Sequence, residues 1–199
     1  SSNFDCIYLL RSTITPGTSR EIQKKFPKLN IVFNPEFLTE RSARLDFINA
    51  SRIILGGESQ LTEKVEGLFR ERFPFVKIIQ TDVGTAQFIK YMANCFFATK
   101  VSFMNEMRQA SDQLNIDWNQ VMNGFVSDGR IGNSHLDVPG HDGSLGFGGK
   151  CFPKDLNAFI NLFESIGIDP TVMRAVWGKN LEVRQNHDWE EIEGAVSNG

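Results

Sequence analysis

The chain has 199 residues, of which 41% are hydrophobic and 23% charged, and its formal net charge is −3. That apolar content excludes a disordered chain, and the mixed, slightly acidic balance excludes a general nucleic-acid binder, which carries a basic excess. No apolar run reaches the roughly 18 residues of a membrane span, and the first residues lack the basic, apolar and small-residue segments of a secretory signal.

Strand and helix patterns alternate from the start. "CIYLLRST" (6–13) is an apolar run ending in polar residues and predicts a buried strand. "PGTSREIQKKF" (16–26) has the turn, small polar residues and mixed-charge face of a starting helix. "NIVFNPEF" (30–37) predicts a second strand running into a loop, and "SRIILGG" (51–57) a third, stopped by glycines. A helix over 60–72 and a strand in "VKIIQTD" (76–82) continue the alternation, which points to a parallel α/β layer.

The texture then changes. From Gly84 to Leu114 no further Gly or Pro interrupts the chain, and Phe88, Met92, Phe96, Ala98, Phe103 and Met107 recur with a helical rhythm. A helix of this length is long for a globular domain and suits a domain connection or a subunit interface. "DWNQVMNGFVSD" (117–128) predicts a short helix. Residues 129–149 hold seven glycines and one proline, a connection long enough to be either functional or mobile. Helical patterns resume over 154–166 and 170–186.

The three cysteines, Cys6, Cys95 and Cys151, stand far apart and make no CxxC pair or disulfide framework. His135, His141 and His187 have no metal-site spacing, so no metal is expected. A reduced, cytoplasmic protein fits this usage.

"GFGGKCFPKD" (146–155) holds the most informative cysteine. It is not a P-loop: Ser144 stands where the first Gly belongs, and Cys151 replaces the Ser or Thr. It is not a GxGxxG fingerprint either, because that register would require Gly at 151. The stretch instead opens a helix whose apolar face is Leu156, Phe159, Ile160 and Phe163, with Pro153 suited to its first position and Asp155 to its first turn. Cys151 would then lie just before a helix N-terminus, with Lys150 and Lys154 beside it, an environment that favours a thiolate. The alternative is a buried structural cysteine.

Three other groups carry candidate chemistry. "NPEFLTE" (34–40) places Glu36 and Glu40 after a strand, where α/β proteins bind ligands; paired carboxylates divide roles in such sites, or else form a solvated turn. Lys90 and Asn94 share a helix face and either stabilise an oxyanion or belong to a solvent stripe. Arg130, in a glycine turn, either grips a phosphate or carboxylate or lies idle on the surface.

"STITPGT", "NPEFLTE", "KYMAN", "FMNE", "GRIG" and "GFGGKCFPKD" resemble, in that order, the motifs of the nucleotide-sugar 6-dehydrogenases. The resemblance covers essentially the whole chain, and "SHLDVPGHDGSLGFGGKCFPKD" is similar to bacterial members acting on UDP-glucose. It implies the end of a Rossmann-like parallel sheet (1–83) joined by a long helix to a helical dimerisation domain (84–199). It implies an NAD-dependent oxidation of UDP-glucose to UDP-glucuronate, or of UDP-N-acetylmannosamine or GDP-mannose in other members. The alternative is a non-catalytic sugar-nucleotide-binding or dimerisation module.

Carried over by position, Cys151 is the nucleophile that forms a thiohemiacetal and then a thioester. Glu36 is the base for hydrolysis, Lys90 and Asn94 hold the oxyanion, and Asp155 and Thr13 organise water and protons. Phe37, Leu38, Glu40, Phe147, Gly148 and Phe152, with Lys90 and Asn94, surround the substrate. Thr13, Glu40, Cys151 and Lys154 lie near the cofactor. Arg130 reaches the substrate of the other subunit of a homodimer formed through helix 84–114.

The chain departs from the pattern in three places. GxGxxG and its acidic ribose contact are absent, so the main NAD-binding surface is expected to be missing. The C-terminal domain that clasps the UDP is likewise expected to be missing, and the 199 residues alone are expected to be inactive. His135 stands where some relatives place an aromatic near the nucleotide.

Overall fold

The structure, a computed structural model, describes residues 6–14, 17–39, 41–193 and 195, and for Ser19 and Arg20 the backbone alone. The chain divides into two compact units, Ser1–Lys90 and Tyr91–Gly199.

The first unit is built from β1 (Ile7–Leu10), α1 (Thr18–Lys25), β2 (Asn30–Phe33), α2 (Ala43–Ile48), β3 (Arg52–Gly56), α3 (Ser59–Arg72) and β4 (Lys77–Thr81). The strands lie in sequence order in one sheet. β1 pairs with β2 in parallel, from Ile7 opposite Asn30 to Leu10 opposite Phe33. β3 pairs with β4 in parallel, from Arg52 opposite Lys77 to Gly56 opposite Thr81.

The expected α/β layer is present, but its sheet is mixed rather than wholly parallel, because β2 meets β3 antiparallel at Phe33 and Gly56. The connection between them holds only α2, six residues that sequence periodicity did not signal and none of which is buried. It lays no crossover helix on the sheet, so the chain returns antiparallel. β2 runs into its loop after Phe33 as expected, whereas β1, expected to be buried, ends at Leu10 and leaves Tyr8 and Leu9 exposed.

Alternate side chains of the central strands feed opposite faces. Val32, Ile53 and Leu55 pack with Val65 and Phe73 on one side. Phe33 and Ile54 pack with Ala86 on the other. This two-sided burial is why "RIILG" reads as a continuous apolar run.

Helix α4 (Val83–Gln113) has 31 residues and spans the unit boundary. The second unit continues with α5 (Trp118–Val126), α6 (Cys151–Ser165) and α7 (Thr171–Val183), then a short 3-10 turn at Asp188–Glu190. Asp117 caps α5 by accepting the N–H groups of Asn119 (2.9 Å) and Gln120 (3.3 Å). Gly167 ends α6 with φ +79, its N–H donating to Glu164 O (3.0 Å) and that of Ile168 to Phe163 O (2.8 Å). That left-handed closure satisfies the last carbonyls at little cost only for glycine. The core of this unit centres on Tyr91, Cys95, Ala98, Phe147, Leu156, Phe159, Ile160 and Val176.

Apart from Ala98, which is fully buried in the core, the rhythm that identified α4 marks its outer face. Phe88 (44%), Met92 (54%), Phe96 (61%) and Phe103 (50%) are exposed, while Lys90, Asn94, Ser102 and Asn105 are buried on the helix's other sides. The solvent-stripe alternative for Lys90 and Asn94 is thereby excluded. Among the described residues no helix is long and apolar enough to cross a membrane.

Candidate active site

Cys151 is the first residue of α6 and is exposed. The helix starts two residues earlier than expected, so Pro153 is its third residue. Proline is tolerated there because the N–H groups of the first turn have no partner within the helix. Asp155, expected in the first turn, is the fifth residue of α6 and fully buried.

The burial of Asp155 has a polar reason. Its Oδ2 accepts from Asn94 Nδ2 at 2.5 Å, and its Oδ1 pairs with the Lys154 ammonium. A buried carboxylate is tolerable only when both oxygens are satisfied in this way. α4 and α6 therefore meet through a charged hydrogen-bond chain. Beside it, Lys154 Nζ lies 6.0 Å from the Tyr91 ring centroid.

The other cysteine of this unit is chemically distinct. Cys95 is buried, and burial first, then the Asp155 charge, pushes its thiol up to about 12. It stays protonated across the neutral range and reads as a core residue. Iodoacetamide labelling up to about pH 9, mapped by mass spectrometry, is expected to modify Cys151 and spare Cys95. Equal labelling of both in the folded chain would contradict that assignment.

The glycine-rich segment ahead of Cys151 is tied down by side chains that sequence reasoning missed. Gly146 N–H donates to Asn105 Oδ1 (3.1 Å) and Phe147 N–H to Asn180 Oδ1 (2.7 Å). Asn180 returns a bond from Nδ2 to Phe147 O (3.0 Å), matching both backbone groups of one residue with one fully buried amide. Gly149 N–H donates to the Asp188 carboxylate (3.2 and 3.1 Å). Asn180 lies in the last turn of α7, whereas Arg184 and Asp188 lie beyond its end, where helical spacing no longer sets a common face, so no local pattern signalled the three together. The last residues of the 129–149 connection are therefore held in place and form a braced entry to α6. α7 stops at Val183 rather than 186, which turns the Arg184 side chain inward.

Phe147, one of the residues expected around substrate, is 4% exposed and belongs to the core. Phe152 is half-buried and packs edge-on to Phe147, with ring centroids 6.0 Å apart. It also contacts His135 (5.5 Å), whose ring stacks on Phe97 at 4.2 Å. Burial, followed by the charges of Lys100 and His141, lowers the His135 pKa and favours the neutral ring. Arg130 is not drawn into this cluster: its side chain is 89% exposed and paired with Asp128 at 2.5 Å.

In the first unit, the "NPEFLTE" segment is anchored at its Asn. Asn34 is buried, its N–H donates to Leu10 O (2.8 Å) and its Nδ2 to Ile54 O (2.9 Å). Downstream, Asp46 accepts from Thr39 N–H (2.8 Å) and Oγ1 (2.6 Å), and these bonds hold its pKa down. Glu36 is exposed and lines a cleft of about 280 Å³ together with Phe37, Leu38 and Arg11. The Phe37 ring is flanked by Arg52 (4.5 Å) and the buried Lys90 (5.3 Å). Thr13 is half-buried just beyond β1. Glu40 lies outside the described residues. Among the described residues no group of three or more His, Cys, Asp or Glu is placed to hold a metal.

Comparison with known proteins gives consistent matches. The central-domain model of the UDP-glucose/GDP-mannose dehydrogenase family matches residues 84–182, and its NAD-binding-domain model matches residues 2–72. The UDP-glucose 6-dehydrogenase of Rickettsia conorii is 35% identical over 188 residues, covering 92% of this chain and 42% of that protein. That of Pseudomonas aeruginosa is 36% identical over 196 residues, covering 90% of this chain and 41% of that protein. The solved UDP-glucose dehydrogenase of Pyrobaculum islandicum superposes with a TM-score of 0.74 at 31% identity, over 88% of this chain and 41% of that one. The chain thus spans about two-fifths of the length of the curated relatives it matches.

Proposed function

The chain belongs to the UDP-glucose/GDP-mannose dehydrogenase family, and on that premise we propose that the protein oxidises C6 of a nucleotide sugar, UDP-glucose first, through covalent capture by Cys151. The observation that carries this reading is the contrast between its cysteines. Cys151 is exposed at the first position of α6, four residues before the buried Asp155 that binds Asn94 and Lys154, whereas Cys95 is a buried thiol. A non-catalytic binding module has no use for that arrangement.

The C6 alcohol loses a hydride and a proton to become an aldehyde. The Cys151 thiolate adds to the aldehyde carbon, and the resulting alkoxide takes up a proton to give a thiohemiacetal. Loss of a second hydride and a proton leaves a thioester. Water adds to its carbonyl, and collapse of that adduct releases the uronate and the thiolate. NAD supplies the hydride acceptor, two molecules per sugar oxidised.

Each residue is assigned the role its group can perform. Asn94 presents an amide whose orientation Asp155 fixes. The buried Lys90, one turn earlier on α4, is the cation suited to developing negative charge. Glu36 is the carboxylate assigned to water activation, and Thr13 assists proton movement. Phe37, Leu38 and Phe152 shape the sugar-nucleotide contacts, Gly148 and Glu40 belong with them, Phe147 supports Phe152 from the core, and Arg130 serves a second subunit's substrate.

The residues present fit an anionic dinucleotide in part. Arg11, at the end of β1, keeps a buried Nε that has no hydrogen-bond partner among the described residues, and Thr13 stands two positions later. Lys154, also assigned near the cofactor, is paired with the buried Asp155. No GxGxxG occurs in the 199 residues. The 199 residues alone are expected to be inactive, so the test is NADH formation by a protein that carries this chain together with a GxGxxG-bearing NAD-binding segment, with UDP-glucose, UDP-N-acetylmannosamine and GDP-mannose in parallel. Two NADH per uronate with UDP-glucose is the expected result, and equal or better turnover of another sugar would reassign the substrate.

A homodimer through α4 is part of the same proposal. Its support is the exposed apolar stripe Phe88, Met92, Phe96, Phe103 and Met107, each at least 37% exposed. Sedimentation is expected to give a dimer at micromolar concentration, and Phe96→Glu with Met92→Glu to give a folded monomer. A wild-type monomer would remove both the dimer and the cross-subunit role of Arg130.

A further inference from the structure

We propose that Asp188 is a positioning residue for Cys151: it holds the Gly149 peptide that leads into the nucleophile, and Arg184 holds it in turn. The inference rests on the reading of Cys151 as the nucleophile. Three independent features converge on one short stretch of backbone.

The first is the hydrogen bond itself. Both Asp188 oxygens lie within reach of Gly149 N–H, at 3.2 and 3.1 Å, two residues before the sulfur-bearing position. The second is the guanidinium. Arg184 has a side chain only 2% exposed, and its Nη2 donates to Asp142 Oδ2 (2.8 Å) and Asp188 Oδ2 (3.3 Å), while its Nε donates to Asn186 O (2.8 Å). Its place is over-determined, and through it so is that of Asp188. The third is Gly148, where a Cβ would collide with the Arg184 guanidinium and with Asp188 Oδ1. Only a residue without a side chain lets the peptide lie against this ion pair.

A largely buried guanidinium is a poor device for stability alone, because desolvation offsets most of its Coulombic gain. It is a good device for geometry, because a charged hydrogen-bond donor with three fixed acceptors has one arrangement. Asn180 performs the same task one step upstream, on Phe147. The result is a braced approach in which the backbone enters α6 at a fixed angle and so delivers Cys151 to the N–H groups of the first turn.

Charge and position predict opposite signs. As a neighbouring anion, Asp188 would oppose formation of the Cys151 thiolate, so its removal would make the thiolate easier to form. As a brace, it keeps the sulfur where the helix N-terminus favours the thiolate, so its removal makes the thiolate harder to form. Lys150 and Lys154, the cations nearest in sequence, are unchanged in either case.

The experiment compares the wild-type chain with Asp188→Ala and Asp188→Asn. Asparagine keeps an oxygen for Gly149 N–H and discards the charge. Asp188→Ser, too short to reach, replaces alanine if the alanine variant does not fold. Amide hydrogen exchange of the peptide covering 146–151 and the pH dependence of Cys151 alkylation are both read. Asp188→Ala is expected to speed exchange of that peptide about tenfold or more and to move the alkylation midpoint up towards the free-thiol value of about 8.5, with Asp188→Asn close to wild type in both. Unchanged exchange in Asp188→Ala, or an equal downward shift of the midpoint in both variants, overturns the positioning role. A wild-type midpoint already near 8.5 would instead sink the nucleophile reading, and the exchange measurement would still decide whether Asp188 holds the loop.

Discussion

Exchange of Cys151 for alanine is expected to abolish uronate formation by any NAD-reducing preparation of this protein, lowering its rate by on the order of 10³ or more. The two oxidations do not depend equally on the sulfur. Removing a hydride from the alcohol needs no nucleophile, so the variant is expected to retain some aldehyde formation, capped at one NADH per sugar. The second oxidation needs a tetrahedral carbon bearing a hydrogen, and in this chain Cys151 is the exposed thiol at a helix start that can make it. The measurement is NADH stoichiometry together with product analysis. Uronate appearing at a tenth of the wild-type rate or faster would end the covalent reading, because hydrated aldehyde would then suffice.

Replacing Asp155 by alanine is expected to produce the largest loss of stability among these residues, about 3 kcal/mol by chemical denaturation. Asp155 is fully buried, and its removal strands the Asn94 amide donor and the inner side of the Lys154 ammonium. Lys154 retains 25% side-chain exposure, so water recovers part of its share and the figure stays at the lower end for a broken buried pair. Asp155→Asn, which keeps an acceptor for Asn94, is expected to recover more than half. Cys95 offers a second readout, since its raised pKa owes its smaller part to the Asp155 charge. In both variants that thiol is expected to ionise at somewhat lower pH while remaining above the free-thiol range, since burial is the larger cause. A loss below about 0.5 kcal/mol for Asp155→Ala would mean that water replaces the carboxylate, and the buried chain would not be the anchor between α4 and α6.

The polar residues of α4 show why the two predictions differ in kind. Lys90, Asn94, Ser102 and Asn105 are buried on the helix. Asn94 binds Asp155, Ser102 Oγ donates to Val176 O (2.9 Å), Asn105 receives Gly146 N–H, and the Lys90 ammonium lies over the Phe37 ring. Polar groups placed inside at the cost of desolvation are held by geometry as well as by area. Phe88, Met92, Phe96, Phe103 and Met107, most of the apolar rhythm of α4, do the reverse and face outwards, while Ala98 lies in the core. Period alone finds a helix without saying which side is in, because an interface stripe and a core stripe have the same spacing.

Much of the architecture was legible without coordinates. Alternating apolar runs and glycine stops located the four strands, since strand burial writes itself into period two or into short continuous runs. The uninterrupted stretch after Gly84 announced the long helix, because nothing in it breaks the backbone ladder. Register arithmetic on "GFGGKCFPKD" removed the phosphate loop and left a cysteine at a helix start, and the motif order pointed to the family. Tertiary structure alone decided the rest. It set β2 against β3 in antiparallel sense, because no buried crossover helix joins them. It turned Asp155 inward to Asn94, on an element 61 residues away. It brought Asn180, Arg184 and Asp188 to the loop before Cys151, 33 to 42 residues distant in the chain. Local sequence encodes the propensity of a segment and the period of its burial. Which polar group satisfies which across such separations depends on packing that only the folded chain brings about.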